Sequence, residues 1–118
     1  MPTESIVGEK AFQFAVRVVN VYKYLVAEEK EFVLSKQFLR SGTSIGANIH
    51  EALQAQSKRD FIAKMSIALK ETNESIYWLR LLRATNYLDE AAYQSLLRDN
   101  EELMRLLTSI VKTARMSG

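Results

Sequence analysis

The chain contains no cysteine, which excludes a disulfide framework and any thiolate-ligated metal site. A single proline and four glycines in 118 residues leave few places where regular structure must break. Only one histidine is present, His50, and no serine stands in a nucleophile-elbow setting, so a triad hydrolase lacks its parts. No apolar run approaches the roughly 18 residues of a membrane span. The N-terminal MPTESIVGEK lacks a basic segment followed by an apolar core, as a leader would have. The expectation is a cytoplasmic protein with no membrane partner. Charge of either sign is also nearly balanced: 16 Lys and Arg face 14 Asp and Glu, a net charge of +2 with a pI of about 8.9. That balance permits a nucleic-acid partner without demanding one, because polyanion binding depends on where the charges cluster.

Helical periodicity is what the sequence has in quantity. Phe12, Ala15, Val16, Val19, Tyr22 and Val26 recur at spacings of three and four and predict a first helix from about Gly8 to Ala27, with these residues as its core set. The charged run Glu28 to Glu31 reads as a short solvated connection. A second helix follows, carrying Val33, Leu34, Phe38, Ile45, Ile49, Ala52 and Leu53. Ser57, with Asp60 three residues later, reads as the N-cap of a third helix from about Lys58 to Asn86. Its core stripe is Phe61, Met65, Ala68, Leu69, Thr72, Ile76, Leu79 and Leu82. Asn86 suits a C-cap and Asp89 caps a fourth helix running to about Arg115. Four amphipathic helices with short connections predict an all-α, antiparallel up-down-up-down bundle, one domain over residues 1–118.

The stretch SGTSIGANIHEALQ in the second helix tests whether glycine here means a ligand-cradling loop. The apolar spacing runs through Gly42 and Gly46 without loss of phase, and neither the preceding strand nor the lysine of a phosphate loop is present. Each helix-interior glycine costs about 1 kcal/mol relative to alanine. The compensation expected is a neighbouring backbone packed closely against the gap.

The first helix has more apolar surface than one bundle core uses, an arc of roughly 220° where somewhat over 100° is usual. Beside the core set lies a second, Phe14, Val18, Val21 and Leu25. On the third helix Ile67, Trp78 and Leu81 likewise fall beside the core stripe. These two sets are the expected interface of a homo-oligomer, since large apolar patches are uncommon on monomers. The plainer alternative is a first helix buried centrally by the other three.

Glu51, Glu71, Glu74, Glu101 and Glu102 invite comparison with di-metal bundle sites, yet the paired Glu-x-x-His motifs of such sites are missing. No metal, cofactor or catalytic residue is expected, and the protein reads as a non-enzyme. Lys58, Arg59 and Lys64 lie near the start of the third helix, Arg80 and Arg83 near its end, and Arg98, Arg105, Lys112 and Arg115 along the fourth. Singly they are solvated helix faces. Repeated around an oligomer's axis, they form a surface able to engage the phosphates of RNA or DNA. The alternative is a scaffold that binds another protein and no nucleic acid.

Two motifs give the chain a likeness. In the second helix Arg40, Ser44, Ile45, Asn48, Ile49 and Glu51 match an arginine followed by S-I-x-x-N-I-x-E-G, with Ala52 in place of the usual glycine. In the third, Lys70, Glu71, Glu74, Tyr77, Trp78 and Leu79 match K-E-x-x-E-x-x-Y-W-L. In these the chain resembles the intervening-sequence 23S rRNA proteins. The resemblance implies a four-helix bundle that assembles into a homopentamer. It also implies kinship with an accessory protein of diversity-generating retroelements, whose basic barrel binds nucleic acid and a reverse transcriptase. No enzymatic activity is established for that family. Two readings of the motif's polar residues stay open: contact with a ligand, or pairing of Asn48, Glu51, Glu71 and Glu74 with Arg40 or Arg83 to fix register.

Overall fold

A computed structural model describes residues 2–117. They form α1 (Pro2–Ala27), α2 (Leu34–Leu53), α3 (Lys58–Ala84) and α4 (Glu90–Met116), with no strand among the described residues. Contacts between the helices fix their directions. Val18 lies over Gly42 and Ala11 over Gly46, so α1 and α2 are antiparallel. The Ser75 hydroxyl donates to Ser41 Oγ at 3.0 Å, and Lys64 pairs with Glu51 at 2.8 Å, which sets α3 against α2. Lys10 with Glu102 (3.4 Å) and Arg17 with Asp99 (2.6 Å) close α4 on α1. The result is an up-down-up-down rod of 48 × 21 × 19 Å.

The close approach falls at the glycines the sequence singled out, but at Gly42 it is the Val18 side chain, not a backbone, that fills the gap. A Cβ on Gly42 would stand 2.7 Å from Val18 Cγ2, whereas one on Gly46 would meet the Ala11 backbone at 3.5 Å. Val18 is β-branched and fully buried, so it has no rotamer to retreat into. Gly42 is therefore the position where α1 and α2 approach too closely for any side chain.

That seam also decides which apolar set of α1 faces inward, and it reverses the expectation. Phe14, Val18 and Leu25 are buried, together with Val7 and Ala11, and Val21 packs half-buried against them. Phe14 meets Phe38 edge to face, ring centroids 6.5 Å apart. These residues are core and not an intersubunit surface. The set expected as core is the outer one: Phe12 is 61% and Val16 42% exposed, with Ala15, Val19, Tyr22 and Val26 between the extremes. The physical reason is that both sets have helical spacing, so the period does not choose between them, whereas contact with α2 and α4 does. On α3 the stripe of Met65, Ala68, Thr72, Leu79 and Leu82 is buried as expected.

Caps position the helix ends. Asp60 N–H donates to Ser57 Oγ (3.0 Å) and Ala92 N–H to Asp89 Oδ1 (2.8 Å). Asn86 takes a left-handed φ of 70°, and Tyr87 N–H reaches back to Leu82 O at 2.9 Å, which closes α3 in a Schellman turn. The run Glu28 to Glu31 is not uniformly solvated. Glu31 is buried, and its carboxylate accepts from the amides of Val33 (3.1 Å), Leu34 (3.0 Å) and Ser35 (2.6 Å). It satisfies the orphan N–H groups of α2 that the terminal residue Val33 leaves open.

Asn100 is fully buried in α4, and among the described residues neither its Nδ2 nor its Oδ1 has a hydrogen-bond partner. An unpaired buried polar group costs about 1–3 kcal/mol, so this residue opposes the stability of the core around it.

Candidate functional site

The motif residues of α2 and α3 meet across the interface between those helices. Arg40 forks between two carboxylates: Nη1 lies 3.2 Å from Glu71 Oε1, and Nη2 bonds Glu74 Oε2. The Trp78 indole N–H donates to the same Glu74 oxygen at 3.0 Å. Glu71 is nine-tenths buried, and its Oε1 is at ion-pair distance from Arg40 but out of line for a hydrogen bond. Ser44 and Asn48 turn back on their own helix, Ser44 Oγ donating to Arg40 O (2.6 Å) and Asn48 Nδ2 to Ser44 O (2.8 Å). Glu51 pairs with Lys64. Arg83 takes no part: it bonds Glu90 (2.9 Å) and the carbonyl of Leu88. The geometry is that of an interhelical clamp, with Arg40 as its centre.

The clamp and the Glu31 cap give the fold an acid limit. The Trp78 indole and the Arg40 guanidinium hold the Glu74 carboxyl below the usual carboxylate range. Burial opposes ionisation of Glu31, but the amides of Leu34, Ser35 and Val33 outweigh it and lower its pKa as well. Groups with depressed folded values stabilise fully above the unfolded value, about 4.3, and lose that contribution as pH falls through the folded one. The urea midpoint is expected to be level from about pH 6 to 8 and to fall below about pH 4.5. Glu31→Gln should lower the midpoint at neutral pH and blunt the acid fall, as a pH series of urea melts would read directly.

The basic residues are sorted by side more than the net charge suggests. Lys58, Arg59, Lys70, Arg80, Arg83, Arg98, Arg105, Lys112 and Arg115 lie on the outer surface of α3 and α4, exposed except for half-buried Arg83. Their acidic company there is Glu90 and Glu101. The other acids of these helices turn elsewhere: Glu71 and Glu74 to α2, Asp99 and Glu102 to α1. Asp60 shares their flank of α3, by helical position, and Asp89 lines a groove with Arg17 and Tyr24 of α1. Lys64, expected on the basic surface, is instead consumed by Glu51 on the α2 side.

Of the expected interface residues, Ile67 is 41% exposed, while Trp78 and Leu81 are half-buried. A groove that sequence reasoning missed runs between α1 and α2, with a volume of about 470 Å³. It is lined by small residues, Gly8, Ala15, Gly46 and Ala47 among them, with Phe12 and His50 at its sides. Gly8 and Gly46 are the sequence signal for it, since residues without bulk leave a furrow on the outside of the helix pair. Among the described residues no three His, Asp or Glu side chains stand together as a metal site, and no helix is long and apolar enough to cross a membrane.

The comparisons with known proteins agree with this architecture. The family of 23S rRNA-intervening sequence proteins matches residues 3–109. A crystal structure of a protein of unknown function from the S23 ribosomal protein family of Bacteroides thetaiotaomicron VPI-5482 is 58% identical in sequence. It superposes with a TM-score of 0.92 over 93% of this chain and 98% of that one. No curated protein matches the chain. With four helices in the expected order, residues of both motifs in one clamp and nearly the whole length matched, the chain belongs to the 23S rRNA-intervening sequence protein family.

Proposed function

We propose that the protein is a non-enzymatic homo-oligomer, a pentamer as the family resemblance implies, acting as an accessory module for nucleic acid or ribonucleoprotein. The observation that carries the assembly is the outward apolar face of α1, where Phe12 and Val16 stand in solvent beside the α1–α2 groove. A closed ring needs two different patches on each subunit. The groove is one, and the flank of α3 bearing Ile67, Trp78 and Leu81 is the second. The observation that supports nucleic acid is the sorting of charge: a net of +2 conceals a strongly basic α3–α4 side, which assembly repeats once per subunit. A protein scaffold is the second reading, favoured by exposed Phe32 and Val33 at the turn before α2.

A salt titration separates the two. Fluorescence polarisation with labelled RNA and DNA, from about 50 to about 200 mM salt, is expected to give affinities that fall steeply and linearly on a log–log plot. A flat response, or none, assigns the surface to a protein partner.

A further inference from the structure

The solvent-facing stripe of α3 is built from positions 59, 63, 66, 70, 73, 77, 80 and 84, which follow one another at alternating steps of four and three. It carries Arg59, Lys70 and Arg80, no acid at all, and one large aromatic, Tyr77. Tyr77 is 56% exposed, an unusual cost for a side chain of its area. Its ring is steadied by an edge-to-face contact with Trp78, centroids 5.0 Å apart. Beside it opens a shallow cavity of about 300 Å³, walled by Tyr77, Arg80, Leu81, Arg83, Ala84 and Tyr93. Arg80 is exposed and makes no ion pair among the described residues, whereas Arg83 is held in place by Glu90 and the Leu88 carbonyl. A fixed aromatic next to an unpaired arginine, on an acid-free stripe, offers a ring for stacking and a cation for the phosphate attached to it.

We infer that this cavity takes an unstacked nucleobase, with Tyr77 as the stacking ring, Arg80 and Lys70 on the flanking phosphates, and single-stranded nucleic acid as the occupant. The inference rests on the nucleic-acid reading above and adds to it the form of the ligand. A duplex keeps its bases stacked inside and offers the stripe only backbone, so it gains from Lys70 and Arg80 but not from Tyr77. Axial spacing fits a strand laid along the helix: Tyr77 is three residues from Arg80 and seven from Lys70, roughly 4.5 and 10.5 Å at 1.5 Å per residue. The cavity faces α4 through Tyr93 and shares its Leu81 wall with the flank proposed for assembly.

The test is a comparison of oligo(U) and oligo(dT) of about ten nucleotides with a duplex of equal length. Affinity is read by polarisation, and Trp78, the only tryptophan, reports stacking on its neighbour by fluorescence quenching. The wild-type protein should prefer the single strands. Tyr77→Ala should lose about tenfold in single-strand affinity and leave duplex binding unchanged, with Tyr77→Phe restoring it. Arg80→Gln should lower the salt slope by about 0.7, and Lys112→Gln should weaken both forms alike. Circular dichroism checks that each variant is folded, as expected for exposed positions. Equal binding of both forms, or Tyr77→Ala binding like wild type, overturns the stacking site while the basic surface stands. A change in assembly mass with Tyr77→Ala places that ring between copies and overturns it too. No binding of any nucleic acid removes this inference and the reading beneath it together.

Discussion

Phe12→Asp is expected to convert the proposed homo-oligomer into a folded 13.5 kDa monomer. Phe12 touches water over most of its surface within one subunit, and its loss leaves the α1–α2 seam and the core untouched. Within an interface the same ring is an aromatic anchor of the kind whose truncation costs about 2 kcal/mol or more. A carboxylate in its place adds the penalty of a buried, unpaired charge. In a ring every interface carries the change, so the effect multiplies. Light scattering should show the mass falling to that of one chain while circular dichroism stays fully helical. Phe14→Asp is the contrast: at 1% exposure and packed on Phe38, it should unfold the subunit itself.

Arg40→Ala is expected to lower the unfolding free energy by about 2 kcal/mol at neutral pH. Exposed ion pairs contribute about 0–1 kcal/mol, and breaking a buried one costs about 3–5. Arg40 stands between those limits, because its guanidinium is half exposed while Glu71 is nine-tenths buried. The loss comes from stranding Glu71 more than from the attraction forgone. Removing both partners should therefore recover much of it: Arg40→Ala with Glu71→Met is expected to be more stable than Arg40→Ala alone, a coupling that urea melts of the four-member cycle would measure. Arg40→Lys should rescue only in part, since an ammonium cannot fork to two carboxylates in fixed geometry. If Arg40→Ala is neutral, the motif serves something other than the α2–α3 register.

The fold was legible because local signals and global packing agree. The spacing of apolar residues, the caps at Ser57 and Asp89, and the glycines on α2 all point to one bundle. The face of α1 was not legible from spacing alone, since two sets share the helical period. A discriminating signal was nonetheless present: only the Phe14 set continues toward the N-terminus, through Ala11 and Val7, while the Phe12 set runs out at Gly8 and Ser5. Glu31 was hidden for a different reason, as a buried cap within a run of charges has the composition of a solvated turn. Pairing Arg40 with Glu71 and Glu74 needed the α2–α3 register, which no single helix contains. That most acids of α3 and α4 turn away from the surface their bases share was invisible for the same reason: it appears only once the flanks facing α1 and α2 are known.

The mass of the wild-type protein in solution tests the account most directly. Sedimentation velocity across micromolar concentrations should give a single species at five times 13.5 kDa, unchanged on dilution through that range. A 13.5 kDa species at every concentration, with Phe12 and Val16 in water on a stable lone chain, would contradict it.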